Sequence, residues 1–296
     1  MVHRKHWRIE KMTETYTSNE AKLFYVDEST YGETPTTPTM ISIPAQSIEP
    51  TINPNNIKLR GVGSADLQAI KQGTLTPSLK ISYVLPSEAP INFLQYARIE
   101  LAKSLSIQAL YFKDIFSSAS DIVSLLYSGC KFNRATVQCS IEDVLKAEVE
   151  LLSQNLTVGE AKIDGATYND YSGAVPFYES YVKKDSTVLE RVTDWKFSIE
   201  NNLKAVPVIR ASNGNILKYL PNRQRNLTGE VVFEFESKEE FDDIINDEEF
   251  SLEFGLGGEC KATFTGCKWE NAAAPTRIED LVSLKTQFVA KTVTIN

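Results

Sequence analysis

Histidine is almost missing from this chain. Its 296 residues include two, His3 and His6, both in the polar opening stretch MVHRKHWRIEKMTETY. Their scarcity removes Ser-His-Asp and Cys-His catalysis and imidazole-based metal sites from the body of the chain. Cysteine is sparse as well: Cys130, Cys139, Cys260 and Cys267, with no C-x-x-C pair. Small buried hydrophobes are the first reading, with disulfides between neighbouring strands and a zinc site as alternatives. No apolar run exceeds four or five residues, so no segment reads as a membrane-spanning helix. The opening stretch lacks the apolar core of a secretory signal, and Met12 offers a second start.

Other absences concern chemistry. RGVGSAD at Arg60–Asp66 lacks the third glycine and the strand–helix setting of a dinucleotide fingerprint, so it reads as a turn. The carboxylate clusters EEFDD and DEEF read as a solvated helix face rather than a calcium or acid-catalysis site. No nucleophile, base or cofactor loop stands out, so neither an enzyme nor a cofactor or metal is expected. The net charge of -8 also denies the chain the basic footprint of a free nucleic-acid binder. An acidic protein can still handle DNA if its task is to let DNA pass.

What the chain does contain is a repeat. SGCKFNRATVQCSIEDVL (Ser128–Leu145) returns as TGCKWENAAAPTRIEDLV (Thr265–Val282), 137 residues on and without a gap. LTPSLKISYVL at Leu75 resembles LTGEVVFEFES at Leu227, 152 on, and SIEP at Ser47 resembles SIEN at Ser198, 151 on. The blocks keep their order. Two modules follow, 40–158 and 190–296, with an N-terminal arm over 1–39 and a connector or loop over 159–189. At 42% hydrophobic and 24% charged, the chain has material for two cores.

Alternation dominates both copies. Val231 and Phe233 face one way, Glu230 and Glu234 the other; Val149 and Leu151 oppose Glu148 and Glu150. These are strands with one buried and one wet face. One helix interrupts each copy: SKEEFDDIINDEEF, with Phe241, Ile244 and Ile245 as its apolar stripe, and APINFLQYARIELAKSL, with Ile91, Leu94, Ala97 and Leu101. The expected fold is mainly β, a sandwich or barrel with one flanking helix per domain, duplicated.

YVDESTYGETPTTPT, SIEPTINPNNIKLRGVGSADL, VTDWKFSIENNLKAV and GCKWENAAAPTRIEDLVSLKTQFVAKTV together resemble tail tube proteins of tailed bacterial and archaeal viruses. The nearest class is the one of about 300 residues with two tube domains per chain. The resemblance implies a structural subunit of the virion tail, assembled in the host cytoplasm. Its domains form stacked sixfold rings whose inner strands join into a barrel around a lumen for DNA. A duplicated chain then needs three copies per ring. It implies partners in the chain itself and in other tail proteins: terminator, tape measure, baseplate or tip, and sheath in a contractile tail. DNA passes without specific binding, and no membrane is involved. Fixed cations would grip phosphates, so the lumen-facing candidates are Glu148, Glu150, Glu230 and Glu234. Arms that reach an adjacent ring in similar proteins fall here on Ile52–Thr74 and Asn202–Asn226. Their apolar candidates are Ile57, Leu59, Val62 and Leu67 in the first and Val206, Val208, Ile209, Leu217 and Leu220 in the second. Two alternatives stay open: a tube subunit of a contractile injection or secretion machine, and a tandem-domain ligand-binding β-protein.

Overall fold

A computed structural model describes residues 16, 18–87, 93–101, 103–113, 122–210, 212, 214–276 and 282–296. His3, His6, Ile91 and the repeated Ile278-Glu279-Asp280 lie outside them. Among the described residues nineteen strands run in chain order. The first ten are β1 (Ala21–Asp27), β2 (Thr39–Ile43), β3 (Ala45–Asn53), β4 (Ile57–Arg60), β5 (Leu67–Lys71), β6 (Thr76–Val84), β7 (Leu105–Phe112), β8 (Ile122–Ser140), β9 (Lys146–Leu152) and β10 (Asn155–Gly159). Then come β11 (Thr167–Asn169), β12 (Val182–Lys184), β13 (Thr187–Val188), β14 (Val192–Glu200) and β15 (Asn226–Glu234). Helix α1 (Glu239–Ile245) leads to β16 (Phe250–Gly255), β17 (Lys261–Ala273), β18 (Ser283–Val289) and β19 (Thr292–Ile295). The fold is mainly β.

Hydrogen-bond register shows the duplication directly. In the first half β3 pairs β6, β6 pairs β9 and β9 pairs the C-terminal part of β8; the N-terminal part of β8 pairs β7 and β10. In the second half β14, β15, β18, β17, β16 and β19 repeat those pairings in the same order. Irregularities recur too: the bulge at Phe132/Arg134 matches that at Trp269/Asn271. The long strands β8 and β17 each cross from one sheet to the other at a glycine with positive φ, Gly129 (+66) and Gly266 (+65). A Cβ there would meet Gln154 at 2.7 Å or Lys291 at 2.6 Å, so both bends demand glycine.

Register also corrects the upstream alignment. Leu152 faces Ser78 and Val289 faces Thr228, so Ser78 matches Thr228 and not a residue two further on. Likewise Ala45 and Val192 face the matched Tyr83 and Phe233, which moves the first strand by four. Both slips are even. Side chains alternate with period two, so an even slip keeps every residue on its face and sequence likeness cannot detect it.

Each half is two layers around aromatic and aliphatic side chains, with Phe132, Ile81 and Val149 buried in the first and Phe254, Phe264 and Phe288 in the second. Ala21–Asp27, placed by sequence within the N-terminal arm, is a strand between β2 and β7, with Leu23, Phe24 and Tyr25 buried. The segment 159–189 adds β11 beside β2 and β12 beside β16. The first expected helix is instead two short 3-10 turns, Phe93–Ala97 and Ile99–Leu101, with Leu94 and Ala97 buried. Helix α1 forms, but its stripe differs: Ile244 and Ile245 are exposed, and Glu240 is buried beside Phe241. The cause is Arg191, whose Nη2 lies 2.5 Å from Glu240 Oε1 and ties the helix down by charge. Lys184 does the same for Asp243 at 2.5 Å, and Trp269 Nε1 donates to Asp243 at 3.1 Å.

Of the four cysteines, Cys130, Cys139 and Cys267 are buried free thiols, and Cys260 is half-buried and free. Burial pushes the Cys267 thiol up to about 12.

Glu253 on β16 gives a pH-dependent prediction. Burial alone would raise its pKa, but hydrogen bonds from Lys261, Tyr181 and Lys183 outweigh burial and hold it down to about 2. The unfolded value is about 4.3, so Glu253 stabilises fully above about pH 5 and loses its effect as pH falls towards 2. Glu253→Gln is expected to cost about 2 kcal/mol at pH 7 and to flatten the acid limb of stability. Urea unfolding from pH 7 to pH 2.5 measures both; an unchanged acid limb would refute the assignment.

Candidate functional site

The two halves are joined by strands. Residues Arg134–Ser140 of β8 pair antiparallel with β14, Glu200 facing Arg134 and Asp194 facing Ser140. One eight-stranded sheet results, in the order β3-β6-β9-β8-β14-β15-β18-β17. It is open: β3 and the C-terminal part of β17 each have a partner on one side only among the described residues.

Alternation buries one face of this sheet and wets the other. All four glutamates singled out by sequence, Glu148, Glu150, Glu230 and Glu234, lie on the wet face. Cations accompany them. Glu148 pairs with Lys80 at 3.0 Å, Glu230 with Lys285 at 2.7 Å, and Arg134 with Glu200 at 3.3 Å across the junction. Glu150 accepts a hydrogen bond from Asn133 Nδ2 at 3.1 Å. Register adds Glu49 and Asp194 to the acids, and Lys146 and Lys196 to the bases. Lys131, opposite Leu152, and Lys268, opposite Val289, lie on the same face, so the seven acids named here meet seven bases. The face is charge-mixed.

Two arms leave the sheet at equivalent places. Each starts at an asparagine with positive φ, Asn55 (+43) and Asn202 (+48). Each asparagine pins the arm's return: Asn55 Nδ2 donates to Thr74 O at 2.7 Å, and Asn202 Nδ2 to Gln224 O at 2.8 Å. Beyond that the arms differ. The first is a hairpin of β4 and β5, a two-stranded sheet of its own, with Ile57, Leu59, Val62 and Ile70 exposed and Leu67 half-buried. The second folds back onto the first half. Leu203 N donates to Asn133 Oδ1 at 3.0 Å, Gln154 Nε2 to Lys218 O at 3.0 Å and Lys131 Nζ to Leu220 O at 3.3 Å. Leu217 and Leu220 are therefore buried anchors within the chain, Val206 and Val208 are half-buried, and Ile209 is exposed.

One feature escaped the sequence. Buried Glu28 accepts from Gly32 N (2.8 Å), Ser104 Oγ (2.6 Å), Ser106 Oγ (2.7 Å) and Gly129 N (2.7 Å). It ties the turn after β1 to the bend of β8. No periodicity or motif marks it, because Ser104, Ser106 and Gly129 come from two distant segments.

Among the described residues no cluster of histidine, cysteine or carboxylate side chains could hold a metal ion, and no helix is long and apolar enough to cross a membrane. The duplicated sheet is joined along its edges, wet on one face and open at both ends among the described residues. Residues 18–290 match the family model described as phage tail tube protein, and the chain belongs to that family: it is a subunit of a viral tail tube, a component of the virion. Self-assembly and contact with other tail proteins follow in general terms from that membership. No curated protein matches the chain.

Proposed function

We propose that three copies close into a pseudo-sixfold ring, that rings stack into a tube, and that the joined sheet lines a lumen through which DNA passes. The supporting observation is the β8–β14 junction. It is a domain-to-domain seam already made inside one chain, and the repeat supplies its second version. β14 matches β3, and β8 matches β17, so the free edge of β17 is the complement of β3 on the next copy. Carrying the observed register across sets Ala272 opposite Ile52 and Ala273 opposite Thr51, as Ala135 faces Ile199 and Thr136 faces Ser198. Ile52 is 47% exposed in the single chain, whereas its counterpart Ile199 is 1% exposed. The module limits in this reading are 40–158 and 190–296, with β1 and β12 completing the outer layers. Closure removes both open edges, which otherwise invite unspecific pairing.

Glu148, Glu150, Glu230 and Glu234 then border the lumen. Their paired cations leave a wall that neither attracts phosphates strongly nor presents one uniform charge. Assembly in the host cytoplasm, and terminator, tape-measure and baseplate or tip partners, complete the reading. Negative-stain microscopy and light scattering of the purified protein test it. Three-chain rings or hollow tubes are expected; a stable particle of about 33 kDa at all concentrations would favour a monomeric binding protein.

A further inference from the structure

The two arms start alike and are pinned alike, yet one is seated and the other is bare. The second arm sits on the half reached through the β8–β14 junction, at Lys131, Asn133 and Gln154. The repeat turns that seat into Lys268, Glu270 and Lys291 on the second half. In a single chain, no arm sits there among the described residues. Instead, Lys268 pairs with Asp247 at 2.7 Å, and Lys291 pairs with Glu249. Beside them are Glu248 and the exposed Ile244 and Ile245 of α1.

We propose that the β4–β5 hairpin of one copy docks on this seat of the neighbouring copy in the same ring. This deepens the ring reading and rests on it. The first ground is the internal precedent. β14 next to β8 puts the second arm on the first half, so β3 next to β17 puts the first arm on the neighbour's second half. The second ground is charge. The hairpin region carries Lys58, Arg60 and Lys71 against Asp66, whereas the seat carries Asp247, Glu248, Glu249 and Glu270 against Lys268 and Lys291. The third is apolar matching. Ile57 and Leu59 are exposed with Lys71 on one face of a hairpin that no main sheet supports, Ile70 is exposed with Lys58 on the other, and Ile244 and Ile245 are exposed at the seat. The hairpin so docked acts within a ring, as a clasp over the seam.

Three-chain particles assembled from an equal mixture of light and 15N-labelled chains, with a benzophenone amino acid at position 59, test this. After irradiation, adducts are expected between light and heavy peptides, mapping to residues 244–249 or 268–270. Lys58→Glu with Arg60→Glu is expected to lower the three-chain fraction about tenfold. Asp247→Lys with Glu249→Lys should restore it. Adducts confined to one chain, mapping elsewhere, or formed between chains only in stacked tubes would overturn the clasp. A seam disulfide between Thr51→Cys and Ala273→Cys, read in the same sample, separates the two ideas. If the seam disulfide forms without the adduct, the clasp fails and the ring stands. If the disulfide is absent, or no three-chain particles form, the ring reading falls and takes the clasp with it.

Discussion

Ile52→Glu is expected to abolish rings and tubes while leaving the chain folded. Ile52 sits on the free edge strand β3, where the single chain leaves it half exposed. A glutamate there meets water, so stability should change by no more than about 0.5 kcal/mol. At the proposed seam the same position becomes the counterpart of Ile199, which is buried against the strand bearing Ala135. Burying an unpaired carboxylate there costs roughly 4 kcal/mol per seam, on the order of a thousandfold in each contact. Ring closure multiplies that loss. Ile52→Val should still assemble, since it keeps the apolar surface. Sedimentation of the two variants beside the parent protein, with urea unfolding as the control for folding, reads the effect. Normal tubes from Ile52→Glu would mean that β3 faces no neighbour.

Glu148→Lys with Glu150→Lys is expected to leave tubes intact and to cut genome delivery on the order of a hundredfold, because each ring would gain a belt of cations that grips passing phosphates. The variant removes the Lys80 pairing of Glu148 and the Asn133 hydrogen bond of Glu150. Glu148 is exposed, Glu150 is half-buried and the sheet core is untouched, so the fold should lose no more than about 1 kcal/mol. Infectivity of complemented virions, together with tube counts by microscopy, measures both quantities. Glu148→Gln with Glu150→Gln should deliver nearly normally, since it adds no cation. Unimpaired delivery by the lysine variant would remove these residues from the DNA path.

Alternation made most of this architecture readable in advance. The faces of β9 and β15 follow from single-residue periodicity, and so the four glutamates fell on one side together. The contiguous repeat around Gly129 and Gly266 was visible because steric demand at both bends admits only glycine. Several features stayed hidden, each for a physical reason. The register of the first two strands was masked by the period-two pattern, which an even slip preserves. The buried face of α1 was misread because Glu240 is neutralised by Arg191 from 49 positions away, and helical periodicity carries no record of such a partner. Leu217 and Leu220 looked like free anchors because nothing local shows that Lys131, Asn133 and Gln154 hold their loop. The matched asparagines at the arm bases, Asn55 and Asn202, were also missed. Their role depends on a positive φ and a bond to the far end of the arm, neither of which leaves a motif.

The most direct measurement is the disulfide across the seam. The side chains of Thr136 and Ser198, counterparts of Ala273 and Thr51, have their hydroxyl oxygens 3.2 Å apart, a separation that two cysteines can bridge. In a Cys260→Ser background, Thr51→Cys with Ala273→Cys should oxidise on assembly to a ladder that stops at a covalent trimer, collapsing to monomer on reduction. A ladder running past three chains would contradict the closed ring, and tubes without any bond between chains would contradict the seam itself.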